Sequence, residues 1–131
     1  VEHEGGEENA ARKPTRLLLV DDQPELLSAL SEILSEQGFV VVSTWEGEEA
    51  VEIASVFEPN VLVTDYQLPG IDGVTTIRLV REDCPQVRAI LVSGGMTSQT
   101  RCQARRAQVD EVFDKPVSVP SLIRAISEGA D

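Results

Sequence analysis

The sequence predicts a three-layer α/β domain, a five-stranded parallel sheet with helices on both faces. Three observations lead there. Short apolar runs alternate five times with segments whose apolar residues recur at helical spacing. The central runs are apolar throughout, as strands covered on both faces are. The whole alternation occupies residues 15–131, a single domain long enough to bury a core.

The elements follow in order. RLLLV (16–20) is a short continuous apolar run and reads as the first strand. Leu26, Leu27, Leu30, Ile33 and Leu34 then repeat along one helical face, and Gly38 stops that helix. FVVVS (39–43) is the second strand. Ala50, Ile53, Ala54 and Phe57 mark a helix closed by Pro59. VLVT (61–64) is the third strand, and Val74, Ile77 and Val80 give a helix ending near Pro85. VRAILVS (87–93) is the fourth strand, followed by a weakly amphipathic helix over 98–108. EVF (111–113) is a brief fifth strand, and Val119, Leu122, Ile123 and Ile126 make the last helix.

Ahead of this pattern, residues 1–14 are charged, contain glycine and are almost free of large apolar groups. Such a segment cannot offset the entropy of ordering, so it reads as a disordered tail or interdomain linker, with His3 solvated. The net charge of −12 argues against direct binding of nucleic acid, which needs Lys and Arg for its phosphates, and permits a cation. The N-terminus has no apolar signal region, and no window approaches the roughly eighteen apolar residues of a membrane span. Cys84 and Cys102 have neither metal nor redox spacing and read as free thiols. A cytoplasmic domain without membrane contact is expected.

In parallel sheets of this kind, ligands sit beyond the carboxyl ends of the strands. Those ends carry chemistry here. Strand one exits into Asp21-Asp22, strand three into Asp65, strand four into Ser93, and strand five is followed by Lys115-Pro116. Strand two exits into Ser43-Thr44, which assigns it to the periphery of the sheet. Three carboxylates at one edge repel, and a hard divalent cation removes that cost. Oxygen ligands without a His or Cys cluster favour Mg2+ over zinc. Lys115 is the one lysine past the tail in a chain that otherwise uses arginine. A compact ammonium on a flexible stem suits a phosphate oxygen or a carboxylate.

LLLVDDQPE (17–25), VLVTDYQLPGIDG (61–73), ILVSGG (90–95) and FDKPV (113–117) together resemble the response-regulator receiver domain of two-component signalling. The resemblance covers residues 15–131 and implies a flavodoxin-like sheet of strand order 2-1-3-4-5. It also implies that Asp65 accepts a phosphoryl group from a phosphohistidine or a small acyl phosphate, assisted by Lys115 and Ser93. Asp22, Asp65, the Gln67 backbone carbonyl and, through water, Asp21 would hold Mg2+ or Mn2+. Pro69 and Gly70 would shape the loop, and Gly94 would leave room above the phosphoryl group. Implied partners are a histidine kinase or histidine phosphotransfer domain. A downstream protein or self-association would use the face of the last two βα segments, where Arg101, Arg105 and Arg106 are expected to be exposed.

One position departs from the family pattern. Three residues before the lysine, many receivers carry Tyr or Phe; here it is Val112, and Phe113 faces the opposite side by strand alternation. That favours a phosphate relay, or coupling to partners by another route. The expected parent is a hybrid sensor histidine kinase. An Asp-nucleophile phosphatase is a poorer match, because its acids stand two residues apart whereas Asp21 and Asp22 are adjacent. An interaction module that merely kept the fold would not need Asp21, Asp22, Asp65, Ser93 and Lys115 together. Tyr66 is expected at the rim of the pocket and Trp45 in a loop or interface.

Overall fold

The computed structural model describes residues 13–128. Most of the tail expected at 1–14, His3 included, lies outside the described residues; Lys13 and Pro14 are in irregular backbone. Five strands alternate with five helices: β1 (Arg16–Val20), α1 (Pro24–Glu36), β2 (Val40–Thr44), α2 (Gly47–Phe57), β3 (Val61–Asp65), α3 (Gly73–Asp83), β4 (Arg88–Ser93), α4 (Ser98–Arg106), β5 (Glu111–Asp114) and α5 (Val119–Glu128). The strands are all parallel, in the order β2-β1-β3-β4-β5.

Burial follows position in the sheet. Every residue of central β3 is buried, whereas the edge strands β2 and β5 are partly exposed. Strand periodicity divides the core in two. Leu18, Val20, Leu62 and Leu91 face α2, α3 and α4 through Ala50, Ala54, Val74, Ile77, Val80 and Ala104. Leu17, Leu19, Val63, Ile90 and Val92 face α1 and α5 through Leu30, Leu34, Leu122, Ala125 and Ile126. Fully burying a side chain of this size contributes about 1.5–3 kcal/mol, so this double-faced core supplies most of the driving force. Val112 packs on the first face and Phe113 on the second, as alternation requires.

Small differences at element ends have local causes. Phe39 precedes β2, because its amide closes the α1 turn on the Leu34 carbonyl. Val87 precedes β4, its amide bonded to the Cys84 carbonyl. The helix expected over 98–108 stops at Arg106, where Gln108 turns left-handed with φ +57°. Among the described residues, no helix is long and apolar enough to cross a membrane.

Candidate functional site

The carboxyl ends of β1, β3, β4 and β5 converge on one edge. Asp21 follows the last β1 residue and Asp65 is the last residue of β3; both are almost fully buried, and neighbouring Asp22 is exposed. One carboxylate oxygen from each lies within 4.8 Å of the other two. Lys115 reaches over from beyond β5. Its Nζ donates to Asp65 Oδ2 at 2.8 Å and stands 3.6 Å from Asp21 Oδ2. Ser93, 2% exposed, ends β4, and its Oγ accepts from the Gly95 amide at 3.3 Å. The Lys115 amide donates to the Ser93 carbonyl at 2.9 Å, which fixes the β4 and β5 exits to each other. The Lys115-Pro116 peptide is cis.

The electrostatics are those of a site short of positive charge. Burial pushes the Asp65 carboxyl above its ordinary range, and Asp21 and Asp22 add to the shift, while Lys115 opposes it. For Lys115 the largest single influence, burial, pulls downward. The hydrogen bond to Asp65 and the charges of Asp65, Asp21 and Asp22 together outweigh it, so the ammonium is held above its usual value. Carboxylates this close repel by roughly 3 kcal/mol per pair at an effective dielectric of about 20, less where Asp22 meets solvent. Three negative groups and one ammonium leave two negative charges, which one divalent cation cancels. The donor set fits a hard cation, since it is all oxygen. Asp21, Asp22 and Asp65 would each supply such an ion with a carboxylate oxygen.

The β3–α3 loop is held from three sides. Asp72 caps α3, its carboxylate accepting from the Thr75 amide at 2.8 Å. Gly70 sits at φ +78°, with Glu48 of α2 pressed where a Cβ would go, and the Glu48 carboxylate accepts from the Ile71 amide at 3.3 Å. At Gly73 the backbone passes so close to β3 that a Cβ would stand 2.3 Å from the Asp65 carbonyl oxygen. Gln67, on the same loop, is exposed. Beside the site, between α1 and α5, lies a cavity of about 400 Å³ that Asp21, Asp65 and Lys115 share with Leu26, Leu30 and Leu122.

A family match accompanies this geometry: residues 17–127 match the response regulator receiver domain. The chain belongs to that family. Among curated receiver proteins, it is similar to the transcriptional regulatory protein TrcR of Mycobacterium tuberculosis H37Rv, 31% identical over 110 residues, 84% of this chain and 43% of that protein. The C4-dicarboxylate transport transcriptional regulatory protein DctD of Pseudomonas aeruginosa is 30% identical over 113 residues, 86% of this chain and 24% of that protein. The chain thus spans less than half the length of either relative. In fold, it resembles the CheY-like receiver domain protein of Methanospirillum hungatei JF-1, with a TM-score of 0.86, 24% identity, and coverage of 91% of this chain and 95% of that one.

Against the expectations for a receiver, Asp21, Asp22, Asp65, Ser93 and Lys115 are brought to one edge. A Cβ at Gly94 would only touch Lys115 Cδ at 3.8 Å, an ordinary contact. Tyr66 is not at the pocket rim. Its ring turns to the α4 side of the sheet, where its hydroxyl donates to Gln103 Oε1 at 3.0 Å. The reason is alternation: with Asp65 aimed at the site, the next residue points away. Trp45 is 59% exposed in the loop after β2. Gly73, Asp72 and Glu48 were missed. The D-G pair before a helical apolar pattern signals the first two, whereas nothing local marks Glu48.

Proposed function

We propose that this receiver domain takes a phosphoryl group onto Asp65 from the phosphohistidine of a histidine kinase or histidine phosphotransfer domain, and passes or reports it to a partner. The observation that carries the reading is the Lys115 ammonium 2.8 Å from an almost fully buried Asp65, with Asp21 and Asp22 alongside. An Asp65 carboxylate oxygen attacks phosphorus, the bond from phosphorus to the donor imidazole nitrogen breaks, and that nitrogen keeps the electron pair. Asp21, Asp22, Asp65 and the Gln67 carbonyl would hold Mg2+, which when bound neutralises charge on the phosphoryl oxygens. Lys115 moves its hydrogen bond from the carboxylate to a phosphoryl oxygen. Ser93 turns its hydroxyl proton toward another.

The test is chemical. Wild-type protein should acquire acid-labile, hydroxylamine-sensitive label from a phosphohistidine donor, and Asp65→Ala or Asp65→Asn should abolish it. Label persisting in Asp65→Ala would move the acceptor elsewhere. EDTA should suppress labelling of the wild type. TrcR and DctD are transcriptional regulatory proteins, which favours a regulator output over a hybrid kinase.

A further inference from the structure

Tyr66 follows Asp65 directly, and three elements hold it. Its amide donates to the Val92 carbonyl of β4 at 2.8 Å, and its carbonyl accepts from the Gly73 amide of α3 at 2.8 Å. Its hydroxyl donates to Gln103 Oε1 on α4 at 3.0 Å. Among the described residues, this is the one side-chain hydrogen bond between residues 65–72 and α4. Apart from Arg81, which donates to the Ala107 and Gln108 carbonyls just after its last turn, and the Arg101 guanidinium 3.9 Å from Asp114 Oδ2, the helix has little else to fix it. α4 buries only Thr100 and Ala104, and its sequence, SQTRCQARR, is polar. Arg101, Arg105 and Arg106 lie exposed upon it. An element with so few buried apolar groups belongs to the low-stability end of a fold, so a single bond weighs on its position.

The other end of α4 is tied to the site as well. Residues 94–97 run from Ser93 to Thr97, whose hydroxyl caps the helix by accepting from the Thr100 amide at 3.1 Å. A phosphoryl group on Asp65 offers new acceptor oxygens to Ser93, and so draws this short connection toward the site. Tyr66 cannot follow, because its backbone is bonded to β4 and α3.

We propose that the Tyr66–Gln103 hydrogen bond is a latch that holds α4 in its resting position, and that phosphorylation of Asp65 releases it. The inference rests on Asp65 being the acceptor. Tyr66 acts as a positioning residue, linking the acceptor strand to α4 from the side of the sheet on which Val112 also packs. A net hydrogen-bond contribution of about 1 kcal/mol corresponds to about a fivefold change in the latched-to-released ratio.

The test is amide hydrogen exchange of residues 98–106, with and without phosphorylation by phosphoramidate and Mg2+. In wild-type protein, phosphorylation should speed exchange in α4. Tyr66→Phe and Gln103→Leu should each speed it about fivefold without phosphorylation, and shrink the further increase on phosphorylation. The double variant should match either single one, as two halves of one bond require. Gln103→Glu keeps the acceptor oxygen and should restore wild-type behaviour, which a general packing defect would not. Label on Asp65 should reach the same stoichiometry in every variant. Wild-type exchange in both single variants, or Gln103→Glu behaving like Gln103→Leu, overturns the latch. Absence of label on wild-type Asp65 overturns the acceptor assignment instead.

Discussion

Gly73→Ala separates what the backbone of Gly73 allows from what its neighbours allow. Gly73 opens α3, and its φ is outside the left-handed region. On backbone grounds alone, alanine would stabilise the protein by about 0.4–1 kcal/mol, by restricting the unfolded chain. The neighbours reverse the sign. The new Cβ would stand 2.3 Å from the Asp65 carbonyl oxygen, and 3.0 Å from both the Asp65 carbonyl carbon and Leu91 Cδ1. An ordinary carbon–oxygen contact is about 3.3 Å, so something must shift by about 1 Å. The crowded backbone atoms belong to the wholly buried β3, Leu91 belongs to neighbouring β4, and the Tyr66 amide that follows Asp65 is bonded to Val92. Overpacking of this kind costs about 1–3 kcal/mol, so the net loss should be about 1–2 kcal/mol, or about 3–8 °C in Tm. Because the displaced residue is the proposed acceptor, phosphorylation by phosphoramidate should slow by tenfold or more, since about 1 Å of misplacement can cost 10²-fold. Gly94→Ala is the control: its Cβ meets nothing closer than 3.8 Å, and stability should change by less than about 0.5 kcal/mol. A Gly73→Ala protein that melts at or above wild type and labels at the wild-type rate would refute the argument.

Two further outcomes follow from the same structure. Mg2+ at a hundredfold excess over its Kd should stabilise the wild type by about 2.7 kcal/mol, and Asp21→Ala or Asp22→Ala should lose most of that gain. Thermal melts with Mg2+ and with EDTA read it directly, and equal shifts in wild type and variants would remove these acids from the cation site. Arg81 donates to the carbonyls of Ala107, Gln108 and Val87 and to Asp110, which closes the turn after α4. Arg81→Met should therefore lower the urea midpoint by an amount worth about 1.5–3 kcal/mol at unchanged m; a loss below about 0.5 kcal/mol would show that water replaces these bonds without cost.

The order and kind of elements were legible in the sequence because each signal is local. RLLLV and VLVT read as covered strands without knowledge of their neighbours, and Ala50, Ile53, Ala54 and Phe57 share a helical face whatever packs on it. The site was legible for a related reason. A parallel sheet sends all its strands out on one side, so Asp21, Asp22, Asp65, Ser93 and Lys115 had to arrive at a common edge once the strands were placed.

What the tertiary structure alone decided is who stands opposite whom. Glu48 is a helix-start acid by sequence, and only the packing of α2 beside α3 brings it to Gly70. Nothing local in the sequence shows that the Asp65 carbonyl lies behind Gly73. Tyr66 is expected at the rim of the pocket and instead reaches Gln103, 37 positions along the chain. Periodicity states which face a side chain occupies. It says nothing of the atoms a distant segment puts there, and these contacts, each set by a few tenths of an ångström, depend on the assembled fold.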